Sequence, residues 1–457
     1  MKEKLEKILN LMVDTGSSYS DIFIEEKTEK SINLLDGKID KIKSDFLKGI
    51  GLRICDGHNT FYSALNNVKI EDLESYVLDL RSNLKKKRKL DNIFLNDLID
   101  NSKRCEKVML TDLEKKNILL NIDTIARNYS DKICQVSARI EEDEQVVLVA
   151  TSDSKFVKDK RFLKRLVVIV MAKDNDKRTQ SVFTSGSSFD YDFLHKINLE
   201  EEIKNLAQIT INKLNADYAP SGMMPVVIGN DSGVLIHEAC GHALEATSVA
   251  DDASVLSDFY GKKIAPDFVT IIDDGSIQNL FGTTDYDDEG ERTQKNILVK
   301  DGILNSFLVD KKNSRRMNHE ITSSGRRQSY CYAPTSRMNN TYLANGNSTV
   351  SEIIESVKFG LYAKSMGGGQ VNPVTGDFNF GVNEAYLIKD GKIAEMVVGA
   401  SLIGNIKDVL NNIEMVGNDL NFDTGTCGSE SGWCPVTCGQ PTIKLSNILV
   451  GGKKWLN

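Results

Sequence analysis

Five histidines occur in the 457 residues. Two of them, His237 and His242, frame Glu238 in the stretch Ile236-His237-Glu238-Ala239-Cys240-Gly241-His242-Ala243-Leu244-Glu245. Two imidazoles with a carboxylate beside them are the parts needed to hold a divalent metal and to move a proton next to it. In an H-E-x-x-H helix the two histidines lie about 40° apart around the axis and reach one zinc ion, with the Glu as general base. Here the pattern is H-E-x-x-x-H. Five residues advance about 140° on a regular helix, too far for one tetrahedral site. The motif makes chemical sense only on a helix widened by a π-type turn, and Gly241 is where that deformation costs least. On an undistorted helix the two rings would be ordinary buried histidines.

A catalytic zinc site takes three protein ligands and leaves a fourth position open. Glu245, three residues beyond His242, is one candidate for the third ligand. The others are thiols: Cys427, Cys434 and Cys438 fall within twelve residues of glycine-rich sequence. They would complete the histidine pair, hold a separate structural metal, or do neither. Three further features carry chemistry-capable groups. Tyr286-Asp287-Asp288-Glu289-Gly290 reads as a surface turn, with lining of a cleft as the alternative. Arg337 would pair with one of those carboxylates or grip a substrate carboxylate or oxyanion. Gly367-Gly368-Gly369 lacks the following Lys-Ser/Thr of a phosphate loop and reads as a close backbone approach. His58, His195 and His319 stand alone.

These groups must be positioned by a large, acidic chain. With 57 basic and 65 acidic side chains the formal charge is −8, which argues against a nucleic-acid partner. No run of about 18 apolar residues offers a membrane span, and the charged start Met1-Lys2-Glu3-Lys4 lacks the apolar core of a signal peptide. Eight cysteines without paired spacing fit a cytoplasmic protein with reduced thiols.

Leu5, Ile8, Leu9 and Met12 follow helical spacing, with Gly16 as the stop. Strands are expected at 21–26, 31–35 and 49–55, with Asp36-Gly37 and Asp56-Gly57 as hairpin turns, then a helix over 70–83 and a solvated linker at 85–89. Thr111-Asp112-Leu113-Glu114 is a capping box opening a helix to about 128. Strands follow at 135–140, 145–150 and 166–172, then a helix over 199–214. Beyond 219 the spacing predicts a short strand at 226–228, the motif-bearing helix capped by Asp231 or Ser232, hairpin turns at Asp301-Gly302 and Asp390-Gly391, and a helix over 350–364. The expected fold is α+β, with mainly antiparallel sheets and helices. Three domains are expected: a small α+β unit at 1–90, a central α+β unit at 91–218, and a large C-terminal domain at 219–457 carrying the metal motif on a helix.

Several blocks, taken in order, resemble the TldD/PmbA family of metallopeptidases over essentially the full length. They include Gly49-x-Gly51-Leu52-Arg53, His237-Glu238-Ala239-x-Gly241-His242-x-Leu244-Glu245, Tyr286-Asp287-Asp288-Glu289-Gly290, Arg337-Met338-Asn339-Asn340-Thr341, Thr375-Gly376-Asp377-Phe378, Gly425-Thr426-Cys427-Gly428 and Gly439-Gln440-Pro441-Thr442. The resemblance implies a zinc-dependent peptidase of unfolded peptides, with two subunits enclosing a cavity. It maps the metal ligands onto His237, His242 and Cys427, and the catalytic base onto Glu238. It also implies a homodimer, or a heterodimer with a relative lacking the motif. Cys434 and Cys438 depart from the family pattern, which usually has no thiols after the ligand cysteine. A non-catalytic peptide-binding or regulatory subunit with a structural zinc site is the alternative from a different class.

Overall fold

The computed structural model describes residues 1–14, 17–82, 84, 92–231 and 233–452. The helix stop at Gly16, the helix end at Asn83, the basic linker at 85–89, the unit boundary at Asp91 and the Ser232 cap lie outside the described residues. The fold is mixed, with mostly antiparallel sheets.

A seven-stranded sheet runs in the order Asn59–Asn66, Lys38–Asp56, Tyr19–Leu35, Ile133–Thr151, Phe156–Asp174; the last of these pairs with both Ile99–Asn101 and Lys177–Ser187. Strands from the expected units 1–90 and 91–218 therefore share one sheet. Alternation assigns its two faces. Ile22, Ile32 and Leu34 turn toward four helices, Lys2–Val13 and Leu73–Ser82 at one end, Asp112–Tyr129 and Leu199–Asn215 at the other. Asp21, Phe23 and Glu25 turn the other way. Phe23 packs there with Val147, Val149 and Tyr330 of the C-terminal half.

The two short strands expected at 21–26 and 31–35 are one continuous strand, Tyr19–Leu35. Its polar centre is held by pairing on both sides, to Lys38–Asp56 and to Ile133–Thr151. The capping box at Thr111 and Glu114 forms with both of its hydrogen bonds.

The C-terminal half holds two larger sheets. In one, Phe359–Val371, Gly222–Asp231, Ile443–Gly451, Ser401–Asn405 and Asp377–Lys389 are neighbours in that order. Asp377–Lys389 then pairs back onto Phe359–Val371, so the five strands close into a ring. The helix expected over 350–364 stops at Glu355. Phe359 onward is a strand because it pairs in parallel with Gly222–Asp231 and buries Leu361 and Ala363. Helical periodicity is overruled there by a non-local partner. Within that strand the ladder slips between Met366 and Gly369, which places the glycine run in an irregular part of the sheet.

The other sheet orders Ile303–Leu304, Lys295–Lys300, Ile271–Asp274, Asn340–Leu343, Gly432–Gln440 and Asn421–Ser429, with Asn421–Ser429 at its edge. Among the described residues, no helix is long and apolar enough to cross a membrane.

Candidate metal centre

The strand Gly222–Asp231 leads into a short, irregular helical segment. Val234–Ile236 is α-helical, His237–Gly241 is a π turn, and His242–Leu244 is 3-10. The His242 N–H donates to the carbonyl of His237, five residues back. That widened turn returns the second ring to the side of the first, and the ring centroids are 5.3 Å apart. Gly241 permits it by close approach: a Cβ there would overlap the Met338 sulfur. At Glu245 the backbone becomes extended and the segment ends.

Cys427 lies 185 positions beyond His242, on the edge strand Asn421–Ser429. Its sulfur is 3.1 Å from His242 Nε2. One donor atom from each of His237, His242 and Cys427 falls within 4.8 Å of the others. Ligand atoms around a tetrahedral zinc bound through nitrogen and sulfur are about 3.5 Å apart, so this donor set fits such an ion after small adjustments. His237 Nδ1 is buried with no hydrogen-bond partner, which leaves a polar atom in want of one. Burial holds His237 well below the usual imidazole range, with His242 and Arg337 adding to the effect.

Glu245 does not join the donors. Its Oε2 lies 3.0 Å from His242 Nδ1, the ring nitrogen turned away from Cys427. A carboxylate there fixes the tautomer and the orientation of the imidazole. Burial alone would lower the His242 pKa, but Glu245 and Cys427 outweigh it and raise it well above the usual value. Arg337 is fully buried and ties these parts together. It donates to the carbonyl of Cys427 at 2.6 Å, to the Ser431 hydroxyl and the Gly432 carbonyl at 2.9 Å each, and places Nε 3.6 Å from Glu245 Oε1. Its carboxylate partner is thus Glu245 and not an acid of the 286–290 block.

That block is not a surface turn. Asp287, Asp288 and Glu289 are buried where the seven-stranded sheet meets the C-terminal half. Arg53 bridges Asp21 and Glu289 at 2.5 Å each, and Arg161 reaches Asp288 at 2.6 Å. Asp287 accepts the backbone N–H groups of Glu289, Glu291 and Gly325. Two of the cations beside these acids, Arg53 and Arg161, lie more than a hundred residues away, where no local pattern announces them, while Lys311 stands nearer along the chain.

Glu238 is half-buried beside the donor group. Burial raises its pKa, opposed by His242 and reinforced by Glu245. Its Oε2 is 3.7 Å from His242 Nε2. Cys434 stands directly opposite Cys427 across the hairpin and Cys438 opposite Asp423, all on its buried face. Among the described residues, His237, His242 and Cys427 form the one group of three or more such side chains able to hold a metal, and it includes neither Cys434 nor Cys438.

Three domain descriptions of one family match the chain: PmbA/TldA metallopeptidase domain 1 over residues 20–84, the central domain over 108–216 and the C-terminal domain over 221–452. The chain belongs to this family. The metalloprotease TldD homolog of Buchnera aphidicola from Schizaphis graminum is 34% identical, covering 95% of this chain and 92% of that one. The namesake from Haemophilus influenzae is also 34% identical, covering 98% and 96%. A zinc metalloprotease TldD homolog of Saccharolobus solfataricus is 25% identical over 98% of this chain and 99% of its own. The crystal structure of TldE from Thermococcus kodakarensis shares the fold, with a TM-score of 0.74 at 17% identity over 98% of this chain and all of that one.

Proposed function

We propose that this chain is a zinc-dependent peptidase of unfolded or extended peptides, acting in their maturation or turnover. His237, His242 and Cys427 hold the ion, and Glu238 is the general base. The observation that carries this reading is the position of Glu238. Its carboxylate lies 3.7 Å from His242 Nε2, the same nitrogen that faces the Cys427 sulfur at 3.1 Å, yet it stands outside the donor set. Zinc, when bound, supplies Lewis acidity toward a peptide carbonyl and toward water.

The chain's own residues do the rest. Glu238 Oε2 accepts the proton of the attacking water and delivers it to the leaving amine. Burial, by raising the Glu238 pKa, makes it a stronger base than a solvated carboxylate. Glu245 holds His242 by Nδ1, and Arg337 holds the Cys427 backbone against Glu245. The working unit is a pair of family subunits, either two copies of this chain or this chain with a relative lacking the motif. The eight cysteines, all unpaired, suit a reducing cytoplasm.

Glu238→Gln keeps the shape of the side chain and removes the base. The variant should retain near-stoichiometric zinc by metal analysis while losing most hydrolysis of a casein-like or short synthetic peptide. Normal turnover by Glu238→Gln would remove Glu238 from the mechanism.

A further inference from the structure

Behind the hairpin that carries Cys427 lies a cavity of about 340 Å³, walled on its other side by the seven-stranded sheet. Thr426 lines it. Because neighbouring side chains of a strand point to opposite faces, Thr426 enters this cavity while Cys427 turns to the histidines. Cavity and donor group are therefore two sides of one edge strand.

Its charges do not balance. Each acid that lines it already faces a cation: Glu29 and Asp143 meet Lys27 at 2.7 and 2.9 Å, Asp288 meets Arg161 at 2.6 Å, and Glu141 meets Arg139 at 3.0 Å. Two arginines of the wall have no carboxylate within ion-pair distance among the described residues. Arg326 spends its donors on the carbonyls of Met338 and Pro435. Arg165 is the more available. Its Nη1 donates to Thr426 Oγ1 at 3.1 Å, and its Nε is buried with no partner at all.

The placement of Arg165 is built in. Its guanidinium lies 5.6 Å from the centroid of the Phe281 ring. That ring fits because the residue paired with Arg165 on the next strand is Gly186; a Cβ at Gly186 would come within 2.8 Å of the Phe281 ring and 2.6 Å of the Lys164 carbonyl. Burial, reinforced by Arg139, lowers the Arg165 pKa against the pull of Glu141, which stands directly opposite Arg165 on the strand Ile133–Thr151 but beyond ion-pair distance. A planar guanidinium with free donors in a partly desolvated pocket is matched by a carboxylate.

We infer that this cavity is a carboxylate-binding subsite, with Arg165 as its cation, for an acidic side chain or the C-terminal carboxylate of a peptide that reaches the metal centre. It rests on the peptidase reading and adds a preference to it. The preference is for peptides that carry a negative group a short way from the bond to be hydrolysed.

The test is direct binding, followed by the fluorescence anisotropy of labelled peptides on the full-length Glu238→Gln protein so that no peptide is consumed. Three alanine-rich peptides are compared: one with an amidated end and no acid, one with a free C-terminus, and one amidated with an internal Glu. One or both acidic peptides should bind about tenfold more tightly than the neutral one, and the advantage should shrink from 0.05 to 1 M salt. Whichever acidic peptide gains identifies the source of the carboxylate. Arg165→Gln should erase the advantage, and Arg165→Lys should keep part of it, which separates lost charge from a lost fold. Equal affinity for all three peptides, no measurable binding of any, or an unchanged preference in Arg165→Gln would overturn the subsite. Hydrolysis of the neutral peptide by the unsubstituted protein, run in parallel, tests the peptidase reading separately.

Discussion

The contact between Glu245 and His242 yields a quantitative expectation. Glu245 Oε2 sits 3.0 Å from His242 Nδ1 in a buried setting, and Arg337 holds the same carboxylate at 3.6 Å. A hydrogen bond to a charged group contributes about 1.5–3 kcal/mol net, roughly twice a neutral one. Loss of such a partner behind a metal-bound histidine weakens metal affinity about 10–100-fold, which is about 1.4–2.8 kcal/mol and agrees with the first figure. Glu245→Gln keeps an acceptor and loses only the charge, so it should weaken zinc binding by about tenfold. Glu245→Ala removes the acceptor and should approach a hundredfold. Arg337 keeps Ser431, Gly432 and Cys427 as acceptors in either variant, so the fold should survive. Zinc affinity is read by competition with a chromophoric chelator at fixed pH and salt. Affinities within twofold of the parent for both variants would show that Glu245 does not support His242, and a loss equal to that of His242→Ala would make it a ligand.

Two further expectations follow from the same structure. Cys427→Ser should strongly weaken zinc binding and abolish hydrolysis, whereas Cys434→Ser and Cys438→Ser should leave both largely intact; zinc analysis of the three proteins decides, and loss in either of the latter with Cys427→Ser still active would transfer the ligand role. Burial pushes the Asp273 carboxyl up to about 6 from 3.8, against the opposing pull of the Asn339 N–H and the Thr341 hydroxyl. The folded state therefore holds that proton more tightly than the unfolded one. Its contribution to stability is complete below about pH 4 and is lost as pH rises through 6, about 3 kcal/mol over the whole window. Urea unfolding across that range should show the parent losing stability relative to Asp273→Asn, and a pH-independent difference would count against it.

Much of the candidate site is local, and local chemistry can be read in order along the chain. His237, Glu238 and His242 lie within six residues, and the surplus residue in the motif demands a widened turn that the His242 to His237 hydrogen bond supplies. Turn signals behave the same way. Asp36-Gly37, Asp301-Gly302 and Asp390-Gly391 all adopt the positive φ that such pairs favour. Family membership was legible for a related reason: glycine, acidic and cysteine blocks kept their order even where their purpose was hidden.

Only the tertiary structure decided what lies across from what. Cys427 reaches His242 because its hairpin partner, Gly432–Gln440, lies parallel to Asn340–Leu343, an arrangement without local sequence cost or signal. Glu245, a possible ligand by spacing alone, has its carboxylate behind the His242 ring and not in front of it. The acids at 287–289 looked like a solvated turn because their cations, Arg53 and Arg161, come from the other half of the chain. The helix expected to reach 364 yields to a strand for the same cause. Spacing along the chain encodes which face of an element a side chain takes, but burial, charge pairing and strand partners depend on contacts hundreds of residues apart, whose energies no window of sequence contains.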